Sequence, residues 1–572
     1  MLPAFHAPPP SMPRLSIFRR PSLLLAAALA LSACQRAAPD EGYDESAAAD
    51  ARRIEADVRY LADDLLEGRE TGSRGHDLAA LYVAQRLRAM GLRPAGDDGG
   101  YTQRVPLLRA QRLAEGNELV IERNGATTAL RFRDQFLPLL NYDQPEARVE
   151  APAVFVAQAV HAPKLRHDDF AGLDLRGKIA VLFGGAPARF APDQRAFYAS
   201  TEEKLRAVAE RGAVGAVFVA TTGDEQTYPW ARSAEDWQRP GMRLRGSDGR
   251  AIDSTPSLRV VARVSAAVAD VLLSGNGHTA AELYQATDAG RLRGFDLPGR
   301  IVLAARNTVA PLESRNVVAR LPGSDRRLSA EHVVFSAHLD HVGIGPPVDG
   351  DAIYNGAIDN ALGVAVMLEA ARKLAAAPTP PRRSILFVAV TGEEKGLLGA
   401  QWFAQHPTVP AASLVANLNL DMPILLAPTR DVVPVGIEHS SLAPLVRQAA
   451  KDVGVALSPD PAPEQNMFVR SDQYAFIRAG VPAVYLNGGV EGARFGADPR
   501  AAQRNYLSQR YHQPGDDTSQ PIQYADAARL ARLNARLGRL IGDAPQRPTW
   551  NAGDFFGQRF GTDGSGGDAH AD

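Results

Sequence analysis

The stretch SILFVAVTGEEKGLLGA, residues 384–400, decides the fold. An unbroken apolar run, Ile385 to Val390, stops at Thr391-Gly392 and delivers two adjacent carboxylates, Glu393 and Glu394. A short, continuous run rich in β-branched and aromatic residues reads as a strand buried on both faces, the kind found in parallel sheets covered by helices. Neighbouring carboxylates repel, so something beyond the strand end has to want both.

Working outward, three further runs have the same texture: HVVFSA (332–337), SLVANLNL (413–420) and VPAVYLN (481–487). Helical patterns such as NALGVAVMLEAARKLAAA (360–377) separate them. The fold class is therefore α/β, a doubly wound, mostly parallel sheet flanked by helices. In such sheets ligands gather beyond the carboxyl ends of the strands. His338-Leu339-Asp340 follows the first run, Glu393-Glu394 the second and Asp421 the third, while Asp359 precedes the long helix and His512 lies in RYHQPGDD (510–517).

Each residue has a structural reading when taken alone. His338 can be a buried histidine with its bonds satisfied, Asp359 a helix cap, Asp421 a strand end, and Asp516 and Asp517 a turn or cap. Together, two imidazoles and three carboxylates suit divalent ions, zinc foremost. Five protein ligands exceed what one open catalytic zinc takes and fit two ions if one carboxylate bridges. Competing motifs fail. GIGPPVDG (343–350) imitates a dinucleotide loop, but Pro346-Pro347 block the helix that must follow. Neither a His-Glu-x-x-His helix nor a Gly-x-Ser-x-Gly elbow is present.

SAHLDHVG, DAIYNGAIDNALG, TGEEKGLLGA, NLDM and YHQPGDD resemble, in this order, the metal motifs of the co-catalytic di-zinc aminopeptidases, relatives of glutamate carboxypeptidase II and the transferrin receptor. The resemblance runs from about 51 to 545 and implies the zinc-exopeptidase fold and two Zn2+ ions. It implies Asp359 as the bridge, His338 and Asp421 on one ion, and Glu394 and His512 on the other. Glu393 would be the general base on a water between the ions, Asp340 would orient the His338 imidazole, and Tyr511 would steady the developing oxyanion. The implied activity is hydrolysis of N-terminal residues from peptides. A glutaminyl-cyclase-like acyltransferase and a catalytically silent receptor-like protein are the alternatives. Leu362 and Gln513-Pro514 depart from the family's usual residues.

The remaining chain reads as follows. Residues 1–33 have the build of a secretory signal, with Arg14, Arg19 and Arg20 ahead of the apolar stretch Leu23–Leu31. LSAC, Leu31–Cys34, resembles a bacterial lipobox. Cys34 is the sole cysteine of the chain, so the expectation is an exported protein without disulfides, lipid-anchored at Cys34 to a bacterial membrane, the outer one by the Gln35 that follows. Residues 34–50 read as a tether, 51–134 as the N-terminal part of the peptidase domain and 296–545 as its catalytic part. Residues 546–572 read as a flexible tail. Segment 135–295, mostly β, resembles a protease-associated insert domain in DLRGKIAVLF and RGAVGAVFVA. With a net charge of −2 and no basic block, nucleic acid is not an expected partner; peptides are.

Overall fold

The computed structural model describes residues 45–252, 255–274 and 277–561. Four strands lie parallel in the order Ser384–Val390, His332–His338, Leu414–Asn419, Ala483–Asn487. Antiparallel strands flank them: Asp431–Val435 beside the last, and the far half of the long strand Phe295–Leu321 beside the first. Every residue of the four parallel strands is buried, as their continuous apolar composition requires.

Alternation along these strands divides the core between two faces. Val333, Phe335, Ala337, Ile385, Phe387 and Ala389 point to one face, under helices Arg74–Ala89, Gly363–Ala375 and Tyr524–Asp543. Val334, Leu386, Val388 and Val390 point to the other, against Phe403 and Phe476 of helices Leu398–Gln405 and Gln473–Arg478. Strand His332–His338 is followed in sequence by a neighbour on one side, Ser384–Val390, and next by a neighbour on the other, Leu414–Asn419. The winding thus reverses at His338, where an open α/β sheet leaves a crevice. Register is pinned by buried polar groups. Ser336 Oγ donates to Asn419 Oδ1 (2.6 Å), Asn417 Nδ2 donates to Ser336 Oγ (2.9 Å), and Asn419 Nδ2 donates to Gln473 Oε1 (2.8 Å). A one-residue slip would leave them unpaired in the core.

A second group of strands has its own cores. Glu146–Phe155, Ile179–Phe183, Gly215–Val219 and Val260–Val264 run parallel in that order. The near half of Phe295–Leu321 joins them antiparallel, between Glu146–Phe155 and Glu118–Arg123. Its far half, from Asn307, pairs with Thr102–Arg112. The change of sheet therefore comes at 306–307 rather than at 295, and Glu118–Arg123 already belongs to the second group before residue 135. TEEKLRAVAERG (201–212), whose pattern reads as a helix, forms helix Thr201–Glu210, and helices Pro192–Ala199 and Ala280–Asp288 make this region richer in helix than its short apolar runs suggest.

Two expectations need correction. Helix Glu45–Leu61 begins inside the stretch read as a tether. The alanines there favour helix, and Asp50 is buried in an ion-pair network with Arg53, Arg372 and Lys373. The stretch read as a flexible tail is ordered as far as residue 561. Phe556 is fully buried beside Phe468, and Trp550 Nε1 donates to the Gly480 carbonyl (2.9 Å). The leader, Cys34 and residues 562–572 lie outside the described residues. Among those described, no helix is long and apolar enough to cross a membrane.

Phe335 is fully buried against Phe387, ring centroids 5.1 Å apart. Phe335→Ala is expected to cost about 3–5 kcal/mol in a urea unfolding series. His76, fully buried, has its pKa lowered to about 3 by burial first and then by Arg315 and Arg69. Its folded value lies below the unfolded 6.5, so stability is complete above that pH and drains as pH falls toward 3. His76→Gln should flatten the fall in urea midpoint between pH 7 and 4.

Candidate metal centre

His338 closes its strand and is 1% exposed. Its Nε2 stands 2.9 Å from Asp421 Oδ1 and 3.1 Å from Asp359 Oδ1. The other oxygen of Asp359, Oδ2, stands 3.2 Å from His512 Nε2, which is itself 3.0 Å from Glu394 Oε2. One carboxylate therefore faces two histidines, each with a further carboxylate. The ligand atoms of His338, Asp359 and Asp421 lie within 4.8 Å of one another, and so do those of His341, Asp359 and Glu394. His338, Glu394 and Asp421 at strand ends, Asp359 before its helix and His512 in its loop converge.

The loops that carry them are held by buried polar groups. Asp516 closes a turn, donating its N–H to the Gln513 carbonyl (3.0 Å), and does more than that: its carboxylate accepts the backbone N–H of Ile358 (2.9 Å) and Asp359 (3.0 Å) and the Tyr506 hydroxyl (2.9 Å). Burial raises its pKa to about 7. Asn360 ties the Asp359 loop to the Asp421 loop, donating to the Leu420 carbonyl (3.0 Å) and accepting from Met422 N–H (3.0 Å). Asp359 itself does not cap the following helix.

Asp340 also departs from its expected part. The His338 Nδ1 meets the backbone carbonyl of Asp340 (3.1 Å), not its carboxylate. The carboxylate turns the other way, accepting Thr71 Oγ1–H (2.9 Å) and the N–H groups of Glu393 (3.2 Å) and Glu394 (3.4 Å). It thus anchors the turn bearing both glutamates. Glu393 closes that turn through its carbonyl, which accepts from Gly396 and Leu397 N–H (2.9 Å each). Burial first, then the neighbouring carboxylates Asp421, Glu394 and Asp472, push the Glu393 carboxyl well above its ordinary pKa against the pull of His338. Tyr511 stacks on the His512 ring at 3.9 Å.

Three groups escape sequence reading. His341 sits inside the quoted SAHLDHVG, fully buried, with Nδ1 2.8 Å from Glu394 Oε1. Its position three residues after His338 is the one available signal. Asp472 is fully buried, and neither carboxylate oxygen has a hydrogen-bond partner among the described residues. Arg69 is 1% exposed and donates to the backbone carbonyls of Leu339 (2.9 Å), Asn355 (2.6 Å), Gly356 (3.0 Å) and Leu61. It joins the loops of His338 and Asp359. Burial lowers its pKa to about 10, opposed by Asp340, Asp516, Asp359 and Glu394. At Gly68, with φ +66°, a Cβ would stand 2.4 Å from the Tyr354 carbonyl oxygen, so only glycine fits this approach. No periodicity marks a lone arginine in such a turn.

The site asks for positive charge. Five carboxylates, those of Asp340, Asp359, Glu393, Glu394 and Asp421, meet three imidazoles, and His341 Nδ1 lies near Glu394 Oε1 without hydrogen-bond alignment. Residues 316–538 match Peptidase family M28. That segment contains all of the clustered ligands. Over 115 residues the chain is 41% identical to a probable zinc metalloprotease of Pyrenophora teres f. teres, a match covering 20% of this chain and 23% of that protein. It is 34% identical over 115 residues to a vacuolar membrane protease of Candida dubliniensis, covering 20% and 11%. The chain spans about a quarter or less of the length of these curated relatives. The solved aminopeptidase from Aneurinibacillus sp. strain AM-1 aligns with 86% of this chain and 93% of its own, at 20% identity and a TM-score of 0.51. That likeness is one of fold: the mixed α/β architecture with its mostly parallel sheet is shared beyond the M28 segment.

Arg69→Met leaves four buried carbonyls without their donor and four nearby carboxylates without their countercharge. The expected cost is about 3–5 kcal/mol in urea unfolding, with Arg69→Lys recovering only part of it.

Proposed function

We propose that the chain is a zinc-dependent exopeptidase, an aminopeptidase that removes N-terminal residues from peptides, working with two Zn2+ ions. The observation that carries this reading is Asp359, one oxygen toward His338 and Asp421 and the other toward His512 and Glu394. Imidazole nitrogen with carboxylate oxygen is a zinc donor set, and a bridging carboxylate is what a two-ion site needs. The family matched by residues 316–538 supports the peptidase class.

When bound, the ions supply Lewis acidity toward the scissile carbonyl and the attacking water. The protein's own part centres on Glu393. Its carboxylate takes a proton from the water as the oxygen adds to the carbonyl carbon, then gives that proton to the amine as the C–N bond breaks. Asp340 holds the backbone of Glu393 and Glu394 and so aims both. Tyr511, stacked on His512, would donate to the developing oxyanion.

Segment 135–295 is read as a protease-associated insert on the strength of its sequence runs and of the cores its strands build among themselves. Export and lipid anchoring at Cys34 to a bacterial outer membrane rest on residues 12–35 alone; the curated relatives named above are fungal.

Glu393→Gln is expected to lower kcat by about 10²–10⁴ while metal analysis still finds zinc bound. Unchanged turnover removes Glu393 as base. Cleavage of aminoacyl-nitroanilides should vanish on dialysis against chelator and return with zinc; activity that survives full metal removal overturns the metallopeptidase assignment.

A further inference from the structure

Helix Pro192–Ala199 lies within segment 135–295 but docks on the ordered C-terminal stretch. Phe197, 2% exposed, meets Phe555 and Phe560 edge-on at 5.8 and 6.2 Å, with the Arg559 guanidinium 4.0 Å over its ring. The same stretch reaches His439, 3% exposed, in the loop that follows strand Asp431–Val435. The His439 ring lies flat on Phe468, centroids 4.3 Å apart, and meets Phe556 edge-on at 5.5 Å. Both of its nitrogens face carboxylates. Nδ1 is 2.6 Å from Asp554 Oδ2, and Nε2 is 3.7 Å from Asp193 Oδ2 and 3.8 Å from Glu438 Oε1. One imidazole thus joins three parts: its own loop, the C-terminal stretch through Asp554, and helix Pro192–Ala199 through Asp193.

A neutral imidazole carries one N–H. Asp554 takes it, which leaves a lone pair on Nε2 facing two acids. Only the imidazolium suits both sides, and a cation over the Phe468 face is favoured as well. Burial works against that charge, but Asp554, Asp193 and Glu438 together outweigh it and hold His439 above its ordinary pKa of 6.5. Those three acids are the charged groups that bear on the ring; Phe468 and Phe556 bring none. Burial also raises the Asp193 carboxyl, and Glu438 and Asp554 add to it while His439 opposes them. A ring without its second proton therefore leaves Asp193 against two like charges.

We propose that His439 is a proton-operated latch: as imidazolium it fastens helix Pro192–Ala199, and on deprotonation it keeps Asp554 and slackens its hold on Asp193. Neighbouring ties do not titrate with it. Asn551 N–H donates to the His439 carbonyl (2.9 Å), so the C-terminal stretch stays in place. Arg478 binds both oxygens of Glu202 (3.0 and 3.3 Å), so the next helix stays too. Movement is thereby confined to 192–199. Ala196 and Ala199 of that helix, with Gly396 and Leu397 from the turn after Glu394, wall a cavity of about 470 Å3. The latch sets how firmly that wall is held. Because the latched pKa lies above the ordinary value, the hold is complete below pH 6.5 and drains as pH climbs through the raised value.

The test is hydrogen exchange of the full-length protein, read by mass spectrometry at pH 6 and pH 9 and corrected for the intrinsic rate. Protection of the 192–199 amides should fall by about tenfold at the higher pH, the effect of a one-unit difference in His439 pKa between latched and unlatched helix. Helix Gly363–Ala375 should hold its protection. His439→Gln should show the low value at both pH values. Asp193→Asn, at a partly exposed side chain, should remove the pH dependence without disturbing the buried loop. Wild-type protection that does not change with pH overturns the latch, and so does a fall that persists in either variant. The outcome is separate from the peptidase reading, since neither metal nor substrate enters the measurement.

Discussion

Asp359 is the constraint on which the rest depends. A carboxylate that serves two partners must be held with both oxygens aimed, and a side chain on a loose loop cannot do that. Its loop is accordingly bonded on every side: Asp516 takes its N–H groups, Asn360 ties it to the Asp421 loop, and Arg69 gathers the carbonyls of Asn355 and Gly356. These are buried charged and amide groups with their bonds satisfied, the condition under which polar networks specify one arrangement and rigidify it. The sheet contributes the other half. Parallel strands that all end at one edge bring His338, Glu393-Glu394 and Asp421 to one line without any of them being close in sequence.

Crowding carboxylates in this way is unfavourable until countercharge arrives. The fold supplies one such charge permanently, through Arg69, beneath Asp340 and Asp516. The remaining excess faces the crevice, where histidines alternate with acids. A chain built thus carries its affinity for cations as unspent repulsion, and metal binding and stability are coupled.

The parallel sheet could be read because strands buried on both faces have no choice but continuous apolar sequence; Ser384–Val390 is the clearest case. The ligand positions could be read because the polar residues stand immediately after those runs. What stayed hidden has a common cause. Arg69 and Asp516 act on backbone groups hundreds of residues away in the first case and about 150 in the second, and a partner that is a carbonyl or an N–H leaves no residue-type signature. Asp340 lies two residues past the strand, and extended-chain alternation predicts a side, not which of two acceptors, carbonyl or carboxylate, meets the ring. His341 lacks the strand-end position that marks His338, Glu394 and Asp421. The order in 546–561 depends on aromatic side chains docking on a distant surface, which a Gly/Asp-rich composition conceals.

The long strand Phe295–Leu321 carries an architectural consequence. Arg112 and Asn307 are register partners in an antiparallel pair, so the two legs leading into the second group of strands start side by side. Seen from the parallel sheet, residues 113–306 are inserted at the tip of a β-hairpin, and Gly241–Leu244 returns from among them to pair with Thr102–Arg112. A turn of two residues could join the legs without rethreading the chain, so the order of the four parallel strands does not depend on the inserted segment, although Met242 and Leu244 of that segment share a core with Val105, Leu107 and Leu398. Length can therefore change within that outgrowth while the crevice keeps its topology, but its removal strips a strand from Thr102–Arg112 and the Glu202 partner from Arg478.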